Sequence, residues 1–200
     1  MLVVISSSTT VSNEASLINQ LFEEGLAVFH LRKPDSTEYE LTTLLKQINP
    51  MYYSKVALHH FHYVAKHFGI NRLHYTGSHR EQIAEDTLLS YKSEGMILST
   101  SVHTIEEYYD LSGHFNYTFL GPVFDSISKP GYKAKEFDVK SIDKKKSVKL
   151  IALGGIDEAN CSKAYRMGFD GIGVLGSIWN NEDKINAFKI IQSQCRITAQ

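Results

Sequence analysis

Nine histidines are many for a chain of 200 residues, and they cluster. His30 and Arg32 stand two residues apart in F-H-L-R-K. On a strand that spacing puts both on one face. An arginine so placed is suited to a carboxylate or a phosphate. His59 and His60 close a short V-A-L run and must point to opposite faces, so only one can enter a site. His74 sits within L-H-Y, and His79 in the T-G-S-H that follows it. Imidazole titrates near neutral pH and suits proton transfer. If His30, His60 and His79 met at one point, they could instead hold a transition metal such as Zn²⁺. Each histidine taken singly also has a plain packing or surface reading, and His62 and His67 on a short helix most of all.

A second group of residues is built from glycine. The chain reads L-I-A-L-G-G-I at 150–156 and G-I-G-V-L-G-S-I at 171–178. Each is an apolar run ending in glycines. Unbroken apolar runs fit parallel strands covered on both faces. Glycines at their C-terminal ends let main-chain N–H groups approach a ligand. Two such ends side by side, each feeding a helix, would make an anion pocket. Gly154, Gly155, Gly176 and Ser177 are its candidate residues. Ser99-Thr100-Ser101 offers small hydroxyls, and Ser126, Ser128 and Lys129 place two hydroxyls and a cation together, a cradle for phosphate or pyrophosphate.

The elements that must position these groups alternate regularly. Strands are expected at 2–7, 28–33, 56–60, 72–75, 96–101 and 117–124, then at the two glycine-ended runs. Helices are expected between them, with Asn13 as a cap, over 37–48 and 63–68, within 80–94, and after a Thr104-x-x-Glu107 capping box. The last two helices are expected over 159–167 and 183–195. A T-G-S-H loop follows the fourth strand, and 125–135 is a long polar loop. Residues 143–146 form a charged surface turn. Strict alternation means parallel βα units. The expected fold is therefore an α/β (β/α)8 TIM barrel, one domain over residues 1–200, with its chemistry at the C-terminal strand ends. A doubly wound open sheet is the alternative. The missing G-x-G-x-x-G after the first strand argues against a dinucleotide version.

The formal net charge is -1, which leaves no electrostatic footprint for nucleic acid or an anionic membrane. No apolar run is long enough to span a bilayer. The apolar start reads as a strand and not a signal peptide. Cys161 and Cys195 form no framework, so a reduced, cytoplasmic setting is expected.

With these residues in hand, the chain resembles the thiamine-phosphate synthase / TenI (thiazole tautomerase) family. G-P-V-F-D-S-I-S-K at 121–129 is similar to the family's G-P-x-F-x-T-x-T-K. A-L-G-G-I at 152–156 and the G-x-D-G-I-G-V-L-G-S-I pattern at 168–178 match as well. H-L-R-K at 30–33 and S-T-S-V-H-T at 99–104 are weaker matches. The resemblance implies a TIM barrel, usually a homodimer. It implies an enzyme of thiamin biosynthesis that joins a pyrimidine methyl pyrophosphate to a thiazole phosphate and releases pyrophosphate with Mg²⁺. Arg32 would face the pyrophosphate and Ser101 the pyrimidine or pyrophosphate. Ser126, Ser128 and Lys129 would hold pyrophosphate and the thiazole side. Gly154, Gly155, Gly176 and Ser177 would cradle the thiazole phosphate.

The chain also departs from the family. Synthases carry N-D after strand three and an Asp in the loop after strand four, the aspartates binding Mg²⁺, and the matching positions here are His59, His60 and His79. The lysine of Q-L-R-x-K falls on Pro34 and its glutamine on His30. No cofactor is assigned, and Mg²⁺ is expected only if synthase chemistry is retained. The alternatives are a metal-independent thiazole tautomerase and a non-catalytic binder of a phosphorylated thiazole or of thiamin phosphate. The tautomerase's own histidine would fall on Pro122, so His30, His60 or His79 would have to replace it.

Overall fold

In the computed structural model, which describes residues 1–125, 134–135, 137–143 and 147–198, eight parallel strands close on themselves in chain order. They are β1 (Leu2–Ile5), β2 (Val28–Leu31), β3 (Val56–Leu58), β4 (Arg72–Tyr75), β5 (Ile97–Val102), β6 (Tyr117–Leu120), β7 (Lys149–Leu153) and β8 (Gly171–Val174). Pairing of Val3 with Gly173 joins the first strand to the last. That pairing removes the open-sheet alternative.

The alternation of each strand sorts its side chains between two cores. Val3, Ile5, Val28, Ala57, Tyr117, Phe119 and Ile151 pack together inside the barrel. Val4, Phe29, Leu31, Leu58 and Leu73 face outward, into the layer shared with the helices. Burial of each such side chain contributes about 1.5–3 kcal/mol. Gly173 is glycine because a Cβ there would come within 2.9 Å of the Phe119 ring. Phe119 in turn stands 4.9 Å from the His30 ring.

The helices cover the outside. α1 (Glu14–Glu23) buries Ala15, Ile18, Leu21 and Phe22, one stripe at helical spacing. α2 (Glu38–Gln47) opens with a complete capping box between Thr37 and Glu40. Two hydrogen bonds from Thr37 hold the Glu40 carboxyl below its usual value. After a 3₁₀ turn, α3 (Ala65–Phe68) leads to β4, and α4 (Gly77–Arg80) and α5 (Glu85–Ser93) lie between β4 and β5. α6 (Ile105–Tyr109), α7 (Cys161–Arg166), α8 (Gly176–Trp179) and α9 (Lys184–Thr198) complete the order.

Several local expectations change. Asn13 precedes α1 in a left-handed conformation at φ 57° and makes no side-chain cap bond. The T-G-S-H stretch is not a loop. Its Gly77, Ser78 and His79 are wound into α4. Thr104 caps α6, but Glu107 reaches back to the N–H of His103, so the box is only half made. Most strands are shorter than expected, because the residues beyond them turn into the mouth. The last helix runs on to Thr198. The charged turn expected at 143–146 lies mostly outside the described residues, as does most of the polar loop after β6.

Candidate active site at the barrel mouth

Three adjacent strands each turn one histidine inward. Phe29 and Leu31 belong to the outer core, so His30 faces the barrel interior. Ala57 is in the inner core, so His59 two residues on faces inward as well. Leu73 faces out and His74 in. His30, His59 and His74 are 0%, 3% and 1% exposed. His30 Nδ1 lies 2.9 Å from His59 Nε2, and His30 Nε2 lies 2.7 Å from the Tyr117 hydroxyl. The His59 and His74 rings stack at 4.0 Å. His74 Nδ1 is 3.0 Å from Ser99 Oγ, and its Nε2 is 3.2 Å from Ser101 Oγ.

Burial keeps all three rings neutral. It holds His30 down to about 3, with the field of Arg72 adding to it. Burial likewise puts His59 and His74 well below the ordinary value, and neighbouring imidazoles and Arg32 push the same way. His30 is fully buried and therefore lies beneath the mouth and not in it.

The mouth itself carries a different set. Lys33 is drawn outward into a buried ion pair with Glu14 at 2.7 Å, and also donates to the Thr9 carbonyl. Arg32 beside it keeps the inward parity of His30. The Arg32 backbone is fixed by two bonds to Ser6 Oγ, each 2.8 Å. Its charge is felt at His59, His60 and His74. Ser101, next to last in β5, has its Oγ near His74, and its carbonyl accepts from Arg80 Nη1 at 2.7 Å.

His60 and His79 come together, with ring centroids 6.4 Å apart. They line a cleft of about 300 Å³ with Ser36, His59, Tyr63 and Tyr75. Burial and then the charge of Arg32 lower His60. His62 lines the same cleft and spans two strand ends, its Nε2 lying 3.0 Å from the Leu58 carbonyl and 3.1 Å from that of His74. Among the described residues that line this cleft there is no carboxylate. Its donors are imidazoles and hydroxyls, a poor fit to Mg²⁺, which wants hard oxygen ligands in octahedral array.

Across the mouth, the turns after β7 and β8 are made of backbone. Gly154 and Gly155 adopt φ 99° and 62°. A Cβ on Gly154 would come within 2.8 Å of Pro122 Cα, and one on Gly155 would collide with the carbonyls of Phe124 and Asp125. These glycines thus admit the strand-six loop as well as any ligand. Among the described residues, no turn, loop or cap hydrogen bond engages the N–H groups of Gly154, Gly155, Ile156, Gly176 or Ser177. Ser177 Oγ is buried without a partner. Ser126, Ser128 and Lys129 lie outside the described residues.

Sequence reasoning named Arg32, Ser101, His60 and His79, and these surround the mouth. It placed His30 there too, whereas His30 is fully buried below Arg32 on the same inward face. It missed His74 and Tyr117 as members of one polar layer. It also missed Arg80, and His103, whose Nδ1 sits 3.1 Å from the Gly121 carbonyl. Strand parity was the available signal for His74. Nothing in the local sequence announced Arg80.

The fold and the site together define a (β/α)8 barrel whose polar groups gather at the C-terminal mouth, beside two glycine-built turns. Comparison with known proteins places it further. The thiamine monophosphate synthase (TMP-TENI) family profile matches residues 1–178, and the chain belongs to that family. It is 26% identical over a 207-residue alignment to a thiamine-phosphate synthase of Lysinibacillus sphaericus, covering 96% of this chain and 94% of that one. A crystal structure of thiamine phosphate pyrophosphorylase from Bacteroides thetaiotaomicron superposes with a TM-score of 0.77 at 25% identity, covering 98% of both chains. A thiamine phosphate pyrophosphorylase from Pyrococcus furiosus has the same fold, with a TM-score of 0.77 at 18% identity over 100% of this chain and 96% of that one.

Proposed function

We propose that this protein is a thiamine-phosphate synthase-type transferase that holds a thiazole phosphate on the turns after β7 and β8. The observation that carries the reading is Ser177 Oγ, buried without a partner beside the unengaged N–H groups of Gly176 and Ser177. A buried hydroxyl with no partner costs about 1–3 kcal/mol. A phosphate oxygen would recover that cost and accept from the amides as well.

In the reaction the thiazole nitrogen bonds to the exocyclic methylene carbon of the pyrimidine. The carbon–oxygen bond to pyrophosphate breaks, and its electron pair leaves with the pyrophosphate. The need is stabilisation of that departing charge by fixed donors. Arg32 is the resident cation on this side. By resemblance, Lys129 with Ser126 and Ser128 would add to it, and Ser101 would meet the pyrimidine. The positions that carry aspartates in the resembled synthases are His60 and His79 here, in a cleft without carboxylates. No step is assigned to Mg²⁺.

The test is pyrophosphate release from the pyrimidine substrate, with and without thiazole phosphate, in the presence and absence of EDTA. The proposal expects release that requires both substrates and persists in EDTA. The carboxylate-free cleft also favours a second reading, a binder of phosphorylated thiazole that does not turn over. Saturable thiazole phosphate binding without any pyrophosphate release would select it. A tautomerase is less supported, because Pro122 has no proton to exchange and His30 is enclosed.

A further inference from the structure

The layer below the mouth has a composition that the transferase reading does not use. The interior of a (β/α)8 barrel is ordinarily filled by branched aliphatic side chains. Here three neighbouring strands place imidazoles at one level instead, and a tyrosine and a serine from β6 and β5 join them. Such a layer is costly to bury unless its polar atoms are satisfied. It is not fully satisfied, since His59 Nδ1 is buried and has no partner.

We propose that His30, His59 and His74 together bind a divalent transition ion of the Zn²⁺ class inside the barrel. One ring nitrogen from each lies within 4.8 Å of the other two, and all three residues are buried. Three imidazoles with an open fourth position are a recognised donor set for Zn²⁺. Zn–N bonds of about 2.0–2.1 Å on a tetrahedral ion put ligand nitrogens roughly 3.3 Å apart. The His30–His59 pair, at 2.9 Å, is already near that spacing. His74 must close the rest of the distance.

The surroundings supply orientation. Metal-bound histidines commonly use the other ring nitrogen to bond a neighbouring group. His30 does so with the Tyr117 hydroxyl and His74 with Ser99 Oγ. Ser99 Oγ donates a hydrogen bond to the Leu73 carbonyl at 3.3 Å, so it can accept from His74. That leaves His30 Nδ1 and His74 Nε2 as the nitrogens available to a common ion, the second of them in exchange for its 3.2 Å contact with Ser101 Oγ. His59 Nε2, which now faces His30 Nδ1 at 2.9 Å, provides the third donor and exchanges that hydrogen bond for the ion. Stacked rings do not aim their lone pairs at one point, so His59 or His74 must rotate as the ion enters. Burial and the neighbouring arginines keep the three rings unprotonated, the form that ligates. The same arginines, Arg32 and Arg72, oppose a dication. An anionic fourth ligand, hydroxide or a pyrophosphate oxygen, would offset them.

The probe is Co²⁺, titrated into metal-free protein alone and with inorganic pyrophosphate, and read by visible absorption. The proposal expects one equivalent bound, with the intense d–d bands of a four-coordinate ion. The bands should vanish in His59→Asn and in His74→Gln, and should persist in the double variant His60→Asn, His79→Asn. X-ray absorption of Zn²⁺-loaded wild-type protein should count three imidazoles on the ion, a readout that survives if the interior variants fail to fold. Absence of stoichiometric Co²⁺ in both titrations would overturn the proposal. So would binding lost with His60 and His79, or an X-ray absorption spectrum with fewer than three imidazoles.

Discussion

The two sides of the barrel mouth are made from different materials. After β7 and β8 the groups proposed to meet a ligand are main-chain amides and one small hydroxyl. After β2, β3 and β4 they are long or aromatic side chains, namely Arg32, His60 and His79, above a buried layer of three more histidines. A backbone site is fixed by turn conformation and tolerates few substitutions. A side-chain site can change its chemistry without moving the chain. The glycine side is the proposed phosphate cradle, whereas the histidine side offers imidazoles and hydroxyls in a cleft without a carboxylate among the described residues that line it. The lesson is that affinity for the thiazole phosphate and activity toward the pyrimidine diphosphate should be separable properties of this protein.

That separation can be broken or sharpened by substitution on either side. The largest effect is expected from Gly155→Val. A branched side chain at φ 62° would be strained and would collide with the loop after β6. The cost should be about 2–3 kcal/mol of stability, with thiazole phosphate binding lost. Denaturant unfolding and calorimetry would measure both, and a silent substitution would mean the turn is not rigid. Next in size is Arg32→Met. It should weaken pyrophosphate binding by about 10-fold to 100-fold, the loss of a charge-assisted contact worth roughly 1.5–3 kcal/mol. Thiazole phosphate affinity should stay the same, and an equal loss of both would erase the distinction between the two sides. The smallest effect is that of Ser177→Ala. Thiazole phosphate affinity should fall about 5-fold to 10-fold, the range of one hydrogen bond of roughly 1–1.5 kcal/mol. Stability of the free protein should hold or rise slightly, because the substitution removes a buried hydroxyl that has no partner. A fall in stability would show that Ser177 serves the fold instead.

The same contrast explains what could be read from the residues. The glycine side was legible because apolar runs ending in G-G-I and G-S-I carry their geometry locally. Their place at the end of eight alternating units made a barrel the natural fold. The closure itself, β1 on β8, joins residues about 170 apart and follows from the whole pattern of strands. The histidine side was legible only in part. Spacing showed that His59 and His60 diverge, but only the register showed which one enters. That register turned His59 into the interior, at the floor of the cleft that His60 lines from the side of β3. His30, expected at the mouth, shares the inward face of Arg32 but lies within β2, two residues deeper, where it is fully buried. His74 and Tyr117 stand 44 and 87 residues after His30 in the chain, and their convergence with it needs the closed ring.

The account turns on where the phosphoryl group binds. Two-dimensional ¹⁵N–¹H spectroscopy during a titration with thiazole phosphate tests it most directly. Saturable downfield shifts of the Gly155, Gly176 and Ser177 amide protons are expected, with little change at His60 and His79. Saturable binding whose shifts fall on the histidine cleft and spare those amides would contradict it.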